Sequence, residues 1–401
     1  MHHKDTSSRT SKDKDQSGKD TSTSSTEEKK TYTSCPFKAK TQKPINLAIQ
    51  GGGAHGAFAW GVIDRLLEDD RLYIEGISGT SAGSMNAAVL AYGLLEGGAE
   101  GAREKLHQFW HDIAMTGQLY NPSRQLPWET FFYGPHNLSQ CILPRIFEGI
   151  TREFSPYQLN PFDFNPLKDV LLRNVDFERL QTCQVTKLFL SATNVRTGQV
   201  RVFKTDEITS DVVLASACLP FLFKAVEIEG EYYWDGGYTG NPSLFPFFYY
   251  VESPDIVIIH INPIERPAPP TMPDEILNRI NEISFNSALL KEFRAIKFVH
   301  KLVDEGWIKD EFKSKLKYMY LHSVSADAAL SDLSVASKLS SDWDFLLMLR
   351  NRGRAKANEW LSRHYNKIGV QSSFNLTVEL MSSRKKTEEE PKDTEETVER
   401  F

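Results

Sequence analysis

The sequence predicts an α/β fold whose central sheet is at least partly parallel. Apolar runs rich in β-branched and aromatic residues alternate along the chain with amphipathic helical patterns, as in α/β layer structures. Two of these runs lead into glycine-rich turns that each open a helix. With 401 residues and 40% hydrophobic content, the chain is long enough for one large domain or two ordinary ones.

Both ends of the chain are predicted to be disordered tails. Residues 1–42 form an arm whose first part, to about residue 34, contains no Val, Ile, Leu or Phe and cannot offset the entropy of ordering. Residues 383–401 are dense in charge, and their apolar residues are Val398 and Phe401. Between the tails we expect a domain at 43–265 and a helical extension at 266–382 that packs on it.

Composition argues against several kinds of protein. The net charge of −6 offers no basic surface, so no nucleic-acid partner is expected. The cysteines lie far apart and form no Cys/His cluster, so we expect a reducing compartment and neither a metal site nor a dense disulfide framework. They are Cys35, Cys141, Cys183 and Cys218. No apolar run approaches the roughly 18 residues of a membrane span, and no signal peptide is evident. We therefore expect a cytoplasmic protein, peripheral at membranes, with export without a cleaved signal left open.

The first elements follow the order β-α-β-α-α. The apolar run Ile45–Ile49 leads through QGGGAHG into an amphipathic helix that ends near Asp70, and the strand LYIEGIS follows. Ser84–Leu95 is Ala-rich and helical, and a further helical stripe runs from Leu106 to Ile113. Residues 121–166 are dense in Pro and aromatic residues, which indicates an irregular insertion packed over the domain.

The second half supplies four more strand-like runs and two long helices. The strands are predicted at VTKLFLSATNV, QVRVFKT, AVEIEGEYYWDGG and PDIVIIHINPI. The first and last of these are almost continuously apolar, as buried strands are. Helical periodicity marks Ile276–Ile296 and Trp343–Tyr365.

The first glycine turn has two interpretations. Gly51, Gly53 and Gly56 satisfy GxGxxG, which is typical of a dinucleotide site. The same backbone N–H groups at a helix start also suit an oxyanion.

The second glycine turn, GTSAG, fits GxSxG between a strand and a helix. In that context the turn exposes a serine hydroxyl, which makes Ser81 a candidate nucleophile, and Gly79 and Gly83 remove the Cβ atoms that would clash around it. The alternative is a tight turn with a helix-capping serine.

The second turn favours the oxyanion interpretation of the first. A dinucleotide site needs an acidic residue at the end of the second strand, but Asp69 and Asp70 precede that strand and Glu75 lies in its middle. Adjacent parallel strands open at the same edge of a sheet, so N–H groups of Gly51, Gly52 and Gly53 can face a carbonyl attacked by Ser81.

The base that would activate Ser81 is a carboxylate or a histidine. Asp235 ends the strand EYYW and precedes two glycines, although an Asp-Gly pair also forms ordinary turns. An Asp of ordinary pKa, near 3.9, is a weak base unless its anion is desolvated. His260 follows a buried strand, where a structural histidine is equally at home.

GGGAHG, GTSAG and WDGG, in that order, resemble the patatin-like phospholipases. The resemblance covers roughly Ile45 to Pro263 and implies a mostly parallel central sheet sandwiched by helices, with 43–265 as the catalytic domain. It assigns the oxyanion hole to Gly51, Gly52 and Gly53, the nucleophile to Ser81, and the base to Asp235.

The resemblance implies hydrolysis of acyl esters of phospholipids, or of another acyl lipid, at a membrane surface. No metal or cofactor is required, because N–H groups and the helix dipole stabilise the oxyanion. Exposed aromatic residues such as Phe131, Phe132, Tyr133, Phe221 and Phe223 are candidates for entering the lipid surface, although core packing is their more frequent use.

The chain departs from the family's pattern at one position. Many members carry Arg or Lys after the glycines, where this chain has His55. If that cation holds the turn or attracts an anionic head group, its role here becomes pH-dependent or is lost.

Three other functions remain as alternatives. The order Ser81, Asp235, His260 also suits a Ser-His-Asp carboxylesterase of the α/β-hydrolase type. A catalytically silent binding module with the same fold is a second alternative, and a dinucleotide-dependent oxidoreductase is a third.

Overall fold

A mixed sheet of eight strands forms the centre of the computed structural model. It describes residues 42–374, except 122–124, 126–127, 130–140, 185, 267, 314–315 and 334. The described residues belong to one compact unit. The predicted disordered tails, apart from Gln42, and the aromatic residues at 131–133 lie outside the described residues.

Strands and helices alternate over most of the described chain. The strands are β1 (Lys43–Ile49), β2 (Leu72–Gly79), β3 (Lys187–Asn194), β4 (Val200–Lys204), β5 (Val226–Ile228), β6 (Glu231–Asp235), β7 (Asp255–His260) and β8 (Tyr320–Ser325). The helices are α1 (Gly56–Glu68), α2 (Ala82–Tyr120), α3 (Ile142–Glu153), α4 (Pro156–Leu159), α5 (Pro166–Asn174), α6 (Phe177–Gln181), α7 (Ser210–Ser216), α8 (Phe245–Tyr250), α9 (Pro273–Asp304), α10 (Asp310–Lys313) and α11 (Trp343–His364).

The core of the sheet is parallel, as predicted. Its order is β5-β6-β3-β2-β1-β7-β8, and β4 pairs with β3. The strands β3, β2, β1, β7 and β8 are joined by parallel pairing, whereas β4, β5 and β6 pair antiparallel. In β1 and β2, Ile49 lies opposite Gly79, so the two glycine turns that follow them open at the same edge.

Helices cover both faces of the sheet, which confirms the predicted sandwich. On one face, Leu47 and Ile49 of β1 join a core with residues of α1, α2 and α11, including Phe58 and Phe345. On the other face, Ala48 joins a smaller core with residues of α8 and α9. The alternation along β1 is the two-residue period of a strand buried on both faces.

The C-terminal extension is not purely helical, in contrast to the prediction. It supplies β8, which pairs parallel with β7 from Tyr320 to Ser325. The sequence YLHSVS does not predict a buried strand, because it mixes polar with apolar residues. Its buried His322 is accommodated by a hydrogen bond of 2.9 Å between Nε2 and Asp255 Oδ1 on β7.

Glycines allow α11 to pack closely on α1. A Cβ at Gly353 would overlap the carbonyl oxygen of Phe58, and one at Gly61 would overlap the carbonyl oxygen of Arg350. The two helix backbones therefore approach more closely than side chains would permit. Asp64 of α1 adds ion pairs with Arg350 and Arg354 of α11.

We expect Gly353→Ala to lower the free energy of unfolding. The added methyl forces α11 away from Phe58, and overpacking of this kind costs about 1–3 kcal/mol. Gly149→Ala in α3 is the matched control, because nothing lies within 4 Å of its Cβ position. Circular dichroism melts of both variants would test this, and an unchanged melting temperature for Gly353→Ala would contradict the close packing.

Candidate active site

Ser81 lies in a strained turn between β2 and α2. Its φ of 56° and ψ of −127° fall in a region that L-residues rarely adopt, and its side chain is buried. The Ser81 N–H donates to the carbonyl oxygen (3.2 Å) and to Oγ (3.1 Å) of Ser216 at the end of α7. This conformation holds the hydroxyl at the N-terminus of α2, where the helix dipole favours negative charge.

Gly79 and Gly83 are required by the packing of this turn. A Cβ at Gly79 would lie 2.5 Å from the Gly83 carbonyl oxygen. A Cβ at Gly83 would overlap the carbonyl oxygen of Ile49 and lie 2.9 Å from that of Gln50. The turn after β2 therefore packs directly on the end of β1, and larger residues would separate the two.

Sheet topology brings Asp235 to Ser81. Both β2 and β6 pair with β3 along the edge opposite β4, and they run toward each other. Gly79 at the end of β2 pairs with Leu190, and Asp235 at the end of β6 pairs with Ala192. The two strand ends therefore meet two residues apart along β3.

Asp235 is a buried carboxylate with one unsatisfied oxygen. It has no exposed surface, and its Oδ1 accepts a hydrogen bond of 2.7 Å from the Gly237 N–H. Oδ2 accepts none from any group in the described part of the chain. Burial raises the pKa of Asp235 to about 7, against the opposing effects of the Gly237 N–H and the Ser81 hydroxyl. This is the desolvation that an Asp needs to act as a base near neutral pH.

The two glycines after Asp235 allow close contacts on both sides. A Cβ at Gly236 would overlap the Ser191 carbonyl oxygen and approach Thr80 Cγ2 to 3.0 Å. A Cβ at Gly237 would lie 2.8 Å from the ring of Phe285 on α9. The turn therefore fits between the serine turn and a helix from the C-terminal extension.

The first glycine turn lies against Ser81, but the Gly51 N–H is not free for the oxyanion hole to which it was assigned. A Cβ at Gly51 would lie 2.5 Å from Ser81 Cβ, so glycine is needed for the close approach. The Gly51 N–H donates to Asn241 Oδ1 at 2.8 Å, so it is already engaged and not available to an oxyanion.

The backbone N–H groups of Gly52 and Gly53 donate to no acceptor among the described residues. Gly53 has a φ of 58°, and its Cβ position overlaps the carbonyl oxygen of Lys338. Both facts require glycine at this position. Such a pair of N–H groups at the start of a helical turn can bind an oxygen that carries negative charge.

The basic side chain beside the glycine turn is that of Lys338, whose pKa burial lowers, and not that of residue 55. Burial, with the Lys338 charge second, lowers the pKa of His55 to about 3, so the imidazole is neutral at physiological pH. Its Nε2 is hydrogen-bonded to Ser337 Oγ at 2.8 Å. Lys338 Nζ donates to Asn262 Oδ1 at 3.3 Å, and Asn262 Nδ2 donates to the Gly51 carbonyl oxygen at 2.7 Å. A pH-dependent role for His55 above pH 4 is therefore not supported.

Sequence reasoning missed the polar groups that hold the glycine turn. Gln50 Oε1 accepts from the N–H groups of Ile261 and Asn262, and Gln50 Nε2 donates to Asn286 Oδ1 on α9 at 3.2 Å. The position of Gln50 directly before the glycines was an available signal. Asn286 and Lys338 belong to no motif, so only the structure identifies them.

His260 is separate from Ser81 and Asp235 in its contacts. It is buried at the end of β7, and its Nε2 is hydrogen-bonded to Asn286 Oδ1 at 3.4 Å. Burial lowers its pKa. No hydrogen bond to Ser81 or Asp235 is found within the described ranges, so this arrangement does not form a Ser-His-Asp triad.

Comparison with protein families decides the class. The family model described as "Patatin-like phospholipase" matches residues 47–248, half of the chain, and includes all three glycine turns. The chain belongs to the patatin-like phospholipase family.

The individual relatives of this family member are distant. The "Uncharacterized protein R571" of Acanthamoeba polyphaga mimivirus is 27% identical over 217 residues, which are 52% of this chain and 63% of that protein. This chain therefore spans less than two thirds of that relative.

Among solved structures, VipD from Legionella pneumophila is 15% identical, with a TM-score of 0.39 over 81% of this chain and 67% of VipD. ExoU of Pseudomonas aeruginosa, solved with SpcU, is 14% identical, with a TM-score of 0.31 over 80% of this chain and 52% of that chain.

Across the residues that the structure describes, no helix is both long enough and apolar enough to cross a membrane.

Proposed function

We propose that this protein is a serine lipid acyl hydrolase of the phospholipase A type that works through a Ser81–Asp235 dyad. The observation that carries the proposal is the buried Oδ2 of Asp235, which has no hydrogen-bond partner in the described chain and belongs to a carboxyl group beside the strained Ser81. A buried, unsatisfied carboxylate oxygen is costly, and such costs are found where a group has a chemical task.

In the first half of the reaction, Ser81 Oγ attacks the ester carbonyl carbon of the lipid. Asp235 accepts the hydroxyl proton, and the N–H groups of Gly52 and Gly53 stabilise the negative charge on the carbonyl oxygen. The ester C–O bond then breaks. The proton returns from Asp235 to the departing alkoxide, which leaves as an alcohol, and the acyl group remains on Ser81.

In the second half, water takes the place of the alcohol. Asp235 removes a proton from water, and the resulting hydroxide oxygen attacks the acyl carbon. The bond to Ser81 Oγ breaks, Ser81 regains its proton from Asp235, and the fatty acid leaves. The raised pKa of Asp235 suits both directions of transfer, because a base near neutrality both accepts and returns a proton readily.

The decisive experiment measures fatty-acid release from phosphatidylcholine vesicles and from a water-soluble short-chain ester, with a chelator present throughout. We expect the wild-type protein to hydrolyse both, and Ser81→Ala to reduce both rates by at least about a thousandfold. Ser362→Ala is the matched control, because that exposed hydroxyl donates to the Glu359 carbonyl oxygen within α11. Full activity of Ser81→Ala would refute the dyad. Wild-type activity that is lost in the chelator and returns when metal is added would refute the mechanism.

A further inference from the structure

The first half of α9 is amphipathic in the reverse sense to an ordinary surface helix. Its exposed face carries Ile276, Ile280 and Ile283, which are 42%, 53% and 55% exposed and follow the four- and three-residue spacing of one stripe. Its inner face is polar, with Asn278 and Glu282 buried. A helix in water normally places its apolar face inward, so this half of α9 is suited to an apolar environment outside the protein.

This reversed half of α9 reaches the active site at its C-terminal end. Phe285 packs against Gly237 and Tyr238 of the Asp235 turn, with ring centroids of Phe285 and Tyr238 at 5.2 Å. From Phe285 back to Ile276 the helix extends about 14 Å. The second half of α9 instead packs on the sheet, through residues such as Phe293.

A second exposed apolar segment follows α7. Ser216 of α7 binds the Ser81 N–H, and the Cys218 carbonyl oxygen accepts the Asp235 N–H at 2.8 Å. Phe221, three residues later, is 66% exposed.

The loop that carries Phe221 is tied to a neighbouring exposed segment. Lys224 Nζ donates to the Pro161 carbonyl oxygen at 2.9 Å, and next to Pro161 lies Phe162, which is 93% exposed. An exposed aromatic side chain therefore stands on each of the two segments that this hydrogen bond joins.

A fourth exposed segment is the end of α2. Leu119 is 78% exposed, and two residues later Asn121 Nδ2 donates to the Leu339 carbonyl oxygen at 2.8 Å. The preceding residue, Lys338, contacts Gly53 of the glycine turn. Three of these four segments are thus linked through short contacts to Ser81, Asp235 or the glycine turn, and the one with Phe162 is linked to the loop that carries Phe221.

We propose that these segments form an apolar rim that inserts into a lipid surface around the active site. The rim consists of Leu119, Phe162, Phe221, Ile276, Ile280 and Ile283. The inference rests on the proposed function, because the rim serves to bring Ser81 to the lipid layer that contains the ester. Insertion buries the apolar rim and delivers acyl chains to the site without passage through water.

The chemistry of the rim points to lipid tails and away from charged head groups. All six side chains are uncharged, and the protein carries a net charge of −6, which does not attract anionic membranes. Binding should therefore occur on zwitterionic phosphatidylcholine and change little with salt. A second copy of the chain is not the expected occupant of the rim, because it would cover the approach to Ser81.

The test is flotation with phosphatidylcholine vesicles, in a Ser81→Ala background that keeps the lipid intact. We expect the pair Phe221→Ser and Ile280→Ser to weaken vesicle binding at least about tenfold. The matched pair is Phe298→Ser and Trp307→Ser, which are 58% and 62% exposed at the other end of α9 and just beyond it. That pair should bind as the parent does.

Catalytic assays separate this inference from the proposed function. With Ser81 present, the rim pair should lower vesicle hydrolysis relative to soluble-ester hydrolysis, and the Phe298 and Trp307 pair should leave the ratio unchanged. Equal vesicle binding by the rim pair and the parent would overturn the inference. It would also be overturned if sedimentation showed that the parent is a dimer and that the rim substitutions make it a monomer. If the wild-type protein binds vesicles but does not hydrolyse the soluble ester, the proposed function would instead be refuted.

Discussion

Asp235→Asn is expected to lose activity and gain stability at the same time. An amide cannot accept the Ser81 proton, so kcat should fall by about 10³–10⁴-fold on both the soluble ester and the vesicles. The same substitution removes a carboxylate that burial disfavours in its charged form. The melting temperature at pH 8 should therefore rise while catalysis disappears.

The gain in stability has a defined pH dependence. The pKa of Asp235 is about 7 in the folded protein and near 3.8 when unfolded, so its favourable contribution is complete below about pH 4 and is lost as pH rises through 7. The advantage of Asp235→Asn should accordingly grow from pH 4 to pH 8, to at most about 4 kcal/mol.

Two controls make this comparison specific. Glu292, whose pKa burial also raises to about 7, is present in both proteins, so its contribution cancels. Asp211→Asn changes a half-exposed carboxylate that pairs with Lys168 and should alter neither property. An active Asp235→Asn protein, or one with the wild-type pH dependence of melting, would show that Asp235 is not the buried base.

The pH profile of kcat/KM is expected to show a single acidic limb. Activity requires the charged form of Asp235, so the rate should approach a tenfold fall per pH unit below the pKa of about 7, which amounts to about fiftyfold between pH 7 and pH 5. His55 contributes no step in this range, because its pKa of about 3 keeps it neutral.

Soluble-ester hydrolysis is the appropriate measurement, since vesicle properties also change with pH. His260→Asn in parallel distinguishes the alternative base. We expect the acidic limb to persist in that variant, since His260 contacts Asn286 and not Ser81. Disappearance of the limb in His260→Asn would contradict the assignment to Asp235.

The sequence by itself determined the parts of this protein that depend on local geometry. A strand, a sharp turn and a helix are encoded in a few adjacent residues, so the turns around Gly51 and Ser81 were predictable from their glycines and the flanking apolar runs. The parallel pairing of β1 and β2, and therefore the shared edge of the two turns, followed from the same alternation.

Tertiary structure alone decided which polar groups meet at that edge. The strand β6 reaches Ser81 because it meets β2 end to end along β3, and no local pattern encodes that encounter of residues 154 positions apart. The same holds for the Gly51 N–H, which donates to Asn241, and for Lys338, whose carbonyl oxygen lies against Gly53. Such contacts arise from packing of distant elements, and their energies depend on burial, which sequence spacing does not specify.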